Sequence, residues 1–527
     1  MGLTDKVIKN TFYYFISQIS GFIIPLFLTP FIIAKIGGVQ YGVYVLVLGF
    51  LGTFGLFDLS ISSSFIKFIS EYYNKNDFSE LNKVINTGFG FYLLFSVIIC
   101  IFGFIFNHSL LSLINIPDEL KSVSSYALNI SFIIFFVSNG FNIFTSVLIS
   151  MQKMYIPSLL NTFTGILNLI LIVVFLSFGF QLISMLYSQL ITSVLSASIT
   201  VYYAKKYLPE LKFRFNLFTG ATFSKLGKFG IQMQVSKLAT FASEKYDELL
   251  LGFFSVLNNV TFFNIGSRVT KLGRFIPSQF IVQIAPIAAE FNGKQEKQKL
   301  ELLFEDATKY LVLISLPVLT FIFVFADLIV FSWMGKGYEI SSYLIRILVA
   351  GQLINLCISA PGNSIIPNIG IPKYQMHEGL IYLGINLILS FLLIKFYGIV
   401  GAAYGSTIST VFSSSYVFIV SSRYFNKKII SIFLSIILKP LIVAVFCGIL
   451  FYYISAIITN ALSSFSFAVN SERLTKIGVL IAFALIYFSA YFLWMFNFKY
   501  LNERDRSLLR KMISKIIPLK RFKQIDS

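Results

Sequence analysis

Charge is the scarcest commodity in this 527-residue chain: 12% of it is Asp, Glu, Lys or Arg, against 56% hydrophobic and 17% aromatic residues. Soluble domains carry about 25% charged residues, so a water-soluble fold is excluded. Acids are the scarcer sign, 23 against 42 Lys and Arg, leaving a net charge of +19. Such an excess could suit nucleic acid, but the basic residues are dealt out among loops and form no single face, so no nucleic-acid partner is expected. Cysteine and histidine are nearly missing, at three and two. Cys100, Cys357 and Cys447 each stand in an apolar run and read as small core residues; His108 and His377 lie far apart. No metal-ligand spacing, nucleotide-binding loop or Ser/His/Asp set occurs, so neither a cofactor nor an enzyme is expected.

What the chain does have is length in apolar runs. Segments of about 20 apolar residues recur throughout, each able to cross a bilayer core of roughly 30 Å. The expected fold class is an all-α polytopic membrane protein with about fourteen transmembrane helices. The spans fall near 11–34, 43–66, 86–107, 124–150, 155–178, 183–204, 229–252, 259–289, 310–333, 344–366, 377–396, 399–422, 431–457 and 475–497. The first run, Thr11 to Ala34, follows Lys6 and Lys9 but is too long for a signal core and lacks a cleavage pattern, so it reads as a retained helix. GIVGAAYG, from Gly398 to Gly405, predicts a close helix–helix approach.

Threading these spans through a membrane from a cytoplasmic N-terminus puts 30 Lys and Arg in inside segments and 6 outside, with six within spans. That bias predicts both termini in the cytoplasm. Beyond Asn502, Leu508, Leu509, Met512, Ile513, Ile516 and Ile517 recur at helical spacing among Lys and Arg. This tail reads as a basic amphipathic helix on the inner leaflet.

A repeat runs through the chain. NLIL at Asn168–Leu171 returns at Asn386–Leu389, EYYNKND from Glu71 lies opposite EFNGKQE from Glu290, and YGVYVL from Tyr41 opposite VTFFNI from Val260. The offset is 218 or 219 residues each time. It predicts two pseudo-symmetric six-helix bundles of like orientation, residues 1–210 and 211–425, followed by two further helices, 426–498, and the tail, 499–527.

GGVQYGVYVLVLGFLGTFGLFDLSISSSFIKFISEYYNKND, from Gly37, and DELLLGFFS, from Asp247, resemble the Wzx-type polysaccharide flippases of the multidrug/oligosaccharidyl-lipid/polysaccharide exporter superfamily. The resemblance extends over the whole chain, span count included. It implies a carrier in the bacterial cytoplasmic membrane. Its partner would be an undecaprenyl-diphosphate-linked oligosaccharide repeat unit, moved from the inner to the outer leaflet through a cationic central cavity. Related lipid II flippases, multidrug or cation antiporters and, from another class, membrane glycan polymerases are the rival readings. The antiporters need acids rather than a basic stripe, and a polymerase needs a large outer catalytic loop.

The candidate site is the eighth span. Arg268, Lys271 and Arg274 interrupt an apolar run, and each charge at a bilayer centre costs about 2.5–3.5 kcal/mol. They therefore face protein or water. Successive steps of three residues keep them within a sector of roughly 120° on one helix. Arginine's planar fork fits phosphate oxygens, and the resemblance makes a diphosphate the anion. Lys237 and Arg346 are candidates to join the cluster. Glu244 and Asp247 are candidates to reclaim the cations after release and so gate the carrier; with Glu248 they could equally neutralise the stripe in static pairs. Asp58 either pairs locally or couples transport to Na+ or H+. Lys245 is expected to reach toward an interface.

Overall fold

The computed structural model describes residues 3–55, 61–114, 116–212, 220, 222–224, 245–463, 469–497 and 500. Asp58, Lys237, Glu244 and the tail beyond 500 lie outside the described residues, as does most of the seventh span. The described elements are helical. In order, the α-helices of six residues or more are α1 (Leu3–Gly55), α2 (Ile61–Asn74), α3 (Phe78–Ser112), α4 (Asp118–Gly140), α5 (Asn142–Ser150), α6 (Tyr155–Ser177), α7 (Ile183–Tyr207), α8 (Asp247–Phe254), α9 (Leu257–Gly293), α10 (Lys297–Val324), α11 (Ala326–Met334), α12 (Glu339–Ile354), α13 (Ala360–Ile365), α14 (Lys373–Tyr424), α15 (Leu438–Ser463) and α16 (Val469–Asn497).

Among the described residues, ten helical stretches are long and apolar enough to span a bilayer. Two of them hold a pair of spans. Helices α1 and α14 run for 53 and 52 residues, and a straight helix of that length would measure about 80 Å. Each is broken once by a glycine outside helical geometry, Gly37 (φ 79°, ψ 163°) and Gly398 (φ 56°, ψ −134°). A side chain at either would be strained. The eighth predicted span is α9, whose three cations set it apart from the purely apolar helices.

Outward faces are apolar at helical spacing, as a lipid environment requires. On α3, Leu94, Ile98, Ile101 and Ile105 are all more than half exposed. Polar residues turn inward instead, where helices approach through small side chains.

The chain falls into two compact units, residues 1–268 with 373–413, and residues 269–372 with 414–527. The boundaries lie inside α9, just after Arg268, and inside α14. They follow packing, whereas the predicted six-helix halves follow the repeat. In the first unit, Phe65, Ile69, Leu81, Ile85, Phe144, Val147 and Leu148 close a core among α2, α3 and α5. Gly88 admits this packing, since a Cβ there would stand 2.7 Å from both Phe65 and Ile143. In the second unit α10 is the hub: Leu311, Val312, Leu316 and Leu319 are fully buried. Helices α15 and α16 dock on it, with Gly448 against Val324 and Thr320, and the buried Tyr487 ring 5.5 Å from Phe321.

The repeat is written in the backbone as well. Asn76 and Gln295, 219 residues apart, both adopt left-handed φ, 54° and 56°. The turns around them close through matching bonds, Lys75 N to Glu71 O and Asp77 N to Tyr72 O in one, Lys294 N to Glu290 O and Glu296 N to Phe291 O in the other. Each turn carries its own ion pair, Glu71–Lys75 at 2.6 Å and Glu290–Lys294 at 2.5 Å. Gly179 and Gly398 repeat at the same offset, with φ of 83° and 56°.

The cysteines fit the core reading. Cys357 and Cys447 are 2% exposed, and the half-buried Cys100 donates its thiol to Phe132 O at 3.0 Å.

Candidate functional site

The first third of α9 is largely enclosed. Val260, Thr261, Phe263, Asn264 and Ile265 are each 5% exposed or less, while Asn258 is exposed and Phe262 half-buried. The second arm of α1 supplies part of the enclosure. A Cβ on Gly42 would meet Leu257 O at 2.5 Å, and Thr261 Oγ1 donates to Gly38 O at 2.7 Å.

Arg268 stands at the end of this enclosed stretch. Its Nε donates to Asn264 Oδ1 at 2.9 Å and its Nη1 to Thr29 Oγ1 at 3.0 Å. Both acceptors are neutral. Asn264 in turn accepts from Tyr41 Oη at 3.2 Å and donates Nδ2 to Glu248 Oε1 at 2.7 Å. Glu248, 2% exposed, is paired on its other oxygen with Lys245 Nζ at 2.8 Å. Lys245, expected to reach toward an interface, is held by a carboxylate one helical turn away. The acid nearest this network neutralises Lys245 directly and meets Arg268 only through an amide. Among the described residues no carboxylate lies within ion-pair distance of Arg268.

The guanidinium borders a cavity of about 400 Å³ within the first unit. Ser17, Ser20, Thr29, Tyr41, Tyr44, Asn161 and Asn168 give it polar walls, Ile24 and Leu28 apolar ones, and Arg268 is its one charged lining residue among those described. Of five guanidinium donors, two are spent on Asn264 and Thr29. A cation oriented by neutral acceptors keeps its charge for a ligand. A second cavity of about 400 Å³ adjoins it, sharing Asn161, Gly165 and Asn168.

The remaining predicted residues separate. Lys271, half-buried, and Arg274, exposed, follow on α9 beyond the unit boundary, and Arg274 Nη1 donates to Gln352 Oε1 at 3.0 Å. Arg346 is held at Asp327, Nη2 to Oδ2 2.5 Å, with Nε on Phe323 O at 3.2 Å. Its charge is thus balanced by a carboxylate, unlike that of Arg268.

Asp247 turns away from α9. It is 4% exposed, and its Oδ2 accepts from Ser406 Oγ on the second arm of α14. Around it lie Tyr382, 3.5 Å from Ser406 Oγ, and Asn386, whose Nδ2 donates to Ser390 Oγ at 3.0 Å. Asp247 Oδ1 and Asn386 Oδ1 are buried without a partner. The glycines of GIVGAAYG allow this meeting, as predicted. A Cβ on Gly401 would collide with Leu393 O, and one on Gly405 would stand 2.8 Å from Ser390 Cα.

Sequence reasoning missed Thr29, Asn264 and the Ser390/Ser406/Asn386 set. Their signal was present in one form only: the repeated NLIL puts an asparagine at the same place in each half, and both side-chain oxygens, Asn168 Oδ1 and Asn386 Oδ1, are buried and unpartnered.

Residues 14–174 match the MatE family. Over 417 residues the chain is 23% identical to a Shigella flexneri protein described as an O-antigen transporter, covering 77% of this chain and 95% of that one. A Haloferax volcanii protein described as a low-salt glycan biosynthesis flippase is 26% identical over 175 residues, 33% of this chain and 37% of its own. Among solved structures, the lipid II flippase MurJ in its inward closed conformation matches with a TM-score of 0.71 at 19% identity, covering 93% of this chain and all of that one. An inward-facing multidrug resistance MATE transporter matches with a TM-score of 0.63 at 15% identity, covering 78% and 94%.

Proposed function

We propose that this chain is a multi-pass membrane transporter of the multidrug/oligosaccharidyl-lipid/polysaccharide exporter superfamily, a reading supported by the MatE match, the O-antigen transporter relative and the likeness in fold to MurJ and MATE transporters, and that it flips an undecaprenyl-diphosphate-linked oligosaccharide from the cytoplasmic to the outer leaflet by alternating access, for surface polysaccharide assembly. The observation that carries the proposal is Arg268: a guanidinium held by neutral oxygens at the wall of a polar cavity. Charge-assisted bonds from arginine to phosphate oxygens are roughly twice as strong as neutral ones. A diphosphate is the part of the substrate that would seek this group, while the polyprenyl chain stays in lipid. Lys271, Arg274 and Lys237 are further candidates to attract the anion by their charge. Both termini are assigned to the cytoplasm, on the bias of 30 basic residues inside to 6 outside.

Asp247 is the proposed coupling residue. A buried carboxylate with a spare oxygen, among serine and tyrosine hydroxyls and a carboxamide, offers hard oxygen ligands to H+ or Na+. Outward movement of an anion is also favoured by the membrane potential, by about 2.3 kcal/mol per charge per 100 mV.

A lipid II flippase is the second reading, supported by the MurJ likeness. Both substrates share the diphosphate and the polyprenyl chain, so the glycan decides between them. A carrier of cationic drugs is disfavoured by the positive charge at the cavity wall.

The test is export in a bacterial strain whose own O-antigen exporter is deleted. Wild-type chain restores surface polysaccharide. Arg268→Gln should reach the membrane in normal amount and cut export on the order of a hundredfold, as losing charge-assisted bonds worth about 3 kcal/mol implies. Repeat units on lipid should then accumulate at the inner leaflet. Normal export by that variant counts against the proposal.

A further inference from the structure

The cavity adjoining the Arg268 site is built differently, and we infer that it is a carbohydrate subsite for an uncharged, polyhydroxylated ligand. The inference rests on the proposed transport of a glycan-bearing diphosphate, and names where the glycan goes. Helices α4 to α7 supply the walls, and none of the lining residues carries a charge. Asn142, Thr145, Asn161, Asn168, Gln189 and Ser196 are among them. Its volume, about 400 Å³, falls in the range of about 300–1,000 Å³ usual for small-molecule sites.

Polar residues inside a membrane bundle ordinarily tie helices to one another. Here most do not. Thr164 Oγ1 donates back to Leu160 O at 2.8 Å and Thr192 Oγ1 to Ser188 O at 2.9 Å, each within its own helix. Ser138 to Ser193, at 3.3 Å, links α4 to α7 across the cavity. Two amide oxygens on its walls, Asn168 Oδ1 and Gln189 Oε1, are buried with no partner. Buried acceptors are almost always satisfied, so two amides left open on residues that line one cavity are free to turn toward a donor that enters it.

The chemistry of that donor follows from the walls. A cationic ligand would find no counter-charge, and phosphate no cation. An apolar ligand would leave the amides and hydroxyls unpaired. A sugar hydroxyl donates one hydrogen bond and accepts two, which matches walls of carboxamides and back-bonded hydroxyls. Phe141, also on the wall, offers a flat apolar face. The two cavities meet along one face of α6, at Asn161, Gly165 and Asn168, spaced four and three residues apart. Gly165 adds no side chain at that junction. A diphosphate at Arg268 can therefore carry its first sugars past α6 into the neutral cavity.

The test compares two lipids on the full chain in lipid nanodiscs, by native mass spectrometry. One is undecaprenyl diphosphate, the other the same lipid bearing a neutral trisaccharide. Wild-type chain should bind the second roughly tenfold tighter, the worth of one or two net hydrogen bonds. Gln189→Ala and Asn142→Ala, which line the neutral cavity alone, should each bring the ratio close to one while the bare lipid binds as before. An undiminished ratio in both variants overturns the subsite, and so does equal binding of the two lipids by wild type. A variant that loses both lipids equally also overturns a separate subsite. Arg268→Gln tells the two proposals apart: it should weaken both lipids by one factor and keep their ratio. If it weakens neither while the ratio stays tenfold, the diphosphate reading fails and the carbohydrate subsite stands.

Discussion

Asn168 and Asn386 open the same tetrapeptide in the two halves of the chain, and their surroundings are opposites. Asn168 borders open space shared by two cavities, with neutral residues and one guanidinium for company. Asn386 is fully buried beside an acid, its amide donating to Ser390. Both leave the side-chain oxygen unpartnered. The backbone repeats, as the turns at Asn76 and Gln295 do, but the neighbouring helices decide what the repeated residue can do. One half offers a chamber large enough for a ligand, the other a closed polar cluster around a buried acid.

That contrast can be broken at several points. The largest effect is expected at Gly405, where any side chain meets the backbone of Ser390 and pries the arms of α14 apart. Gly405→Leu should lower stability by roughly 1–3 kcal/mol or more, read as a falling melting temperature in detergent. The same exchange at Gly21, which has nothing within 4 Å of its Cβ and lines the open cavity, should leave the melting temperature close to wild type. Next come the asparagines themselves. Asn386→Ala strips the Ser390 and Ser406 hydroxyls of a buried partner and should cost about 1–3 kcal/mol. Asn168→Ala, whose side chain meets a cavity, should cost within about 0.5 kcal/mol. Equal costs would mean the two environments do not differ as described. The smallest effect belongs to Arg346, whose pair with Asp327 is 27% and 65% exposed on its two side chains. Arg346→Gln should change stability by under about 1 kcal/mol and leave export intact.

Much of the fold was legible beforehand because a bilayer permits few solutions. Apolar length marked the spans, and GIVGAAYG marked the place where helices touch, since only residues without bulk let backbones come so close. The shared offset of EYYNKND and EFNGKQE foretold two turns closed by the same hydrogen bonds. The site was legible only in outline. Three cations on an apolar helix announced that α9 meets protein or water; the stretch leading to Arg268 is largely buried, while Arg274 is exposed. Which acid faces which cation could not be read, because Asp247 and Glu248 are adjacent and a helix turns about 100° between them. One points to α14, the other to α9. Arg346 was misjudged as a member of the cluster, since its partner Asp327 lies in a different helix and no periodicity relates them. The neutral cavity gave no warning at all: serine, threonine and asparagine in membrane helices read as ordinary interhelical polar contacts until their bonds are traced.

The most direct measurement concerns Arg268 and a short, dispersible diphosphate. Farnesyl diphosphate and farnesol are titrated against the purified full chain and its Arg268→Gln variant at matched ionic strength, by calorimetry. Wild-type chain should prefer the diphosphate by roughly tenfold or more, and the variant should lose most of that preference. Equal preference in the two proteins would contradict the assignment of the guanidinium to the anionic headgroup.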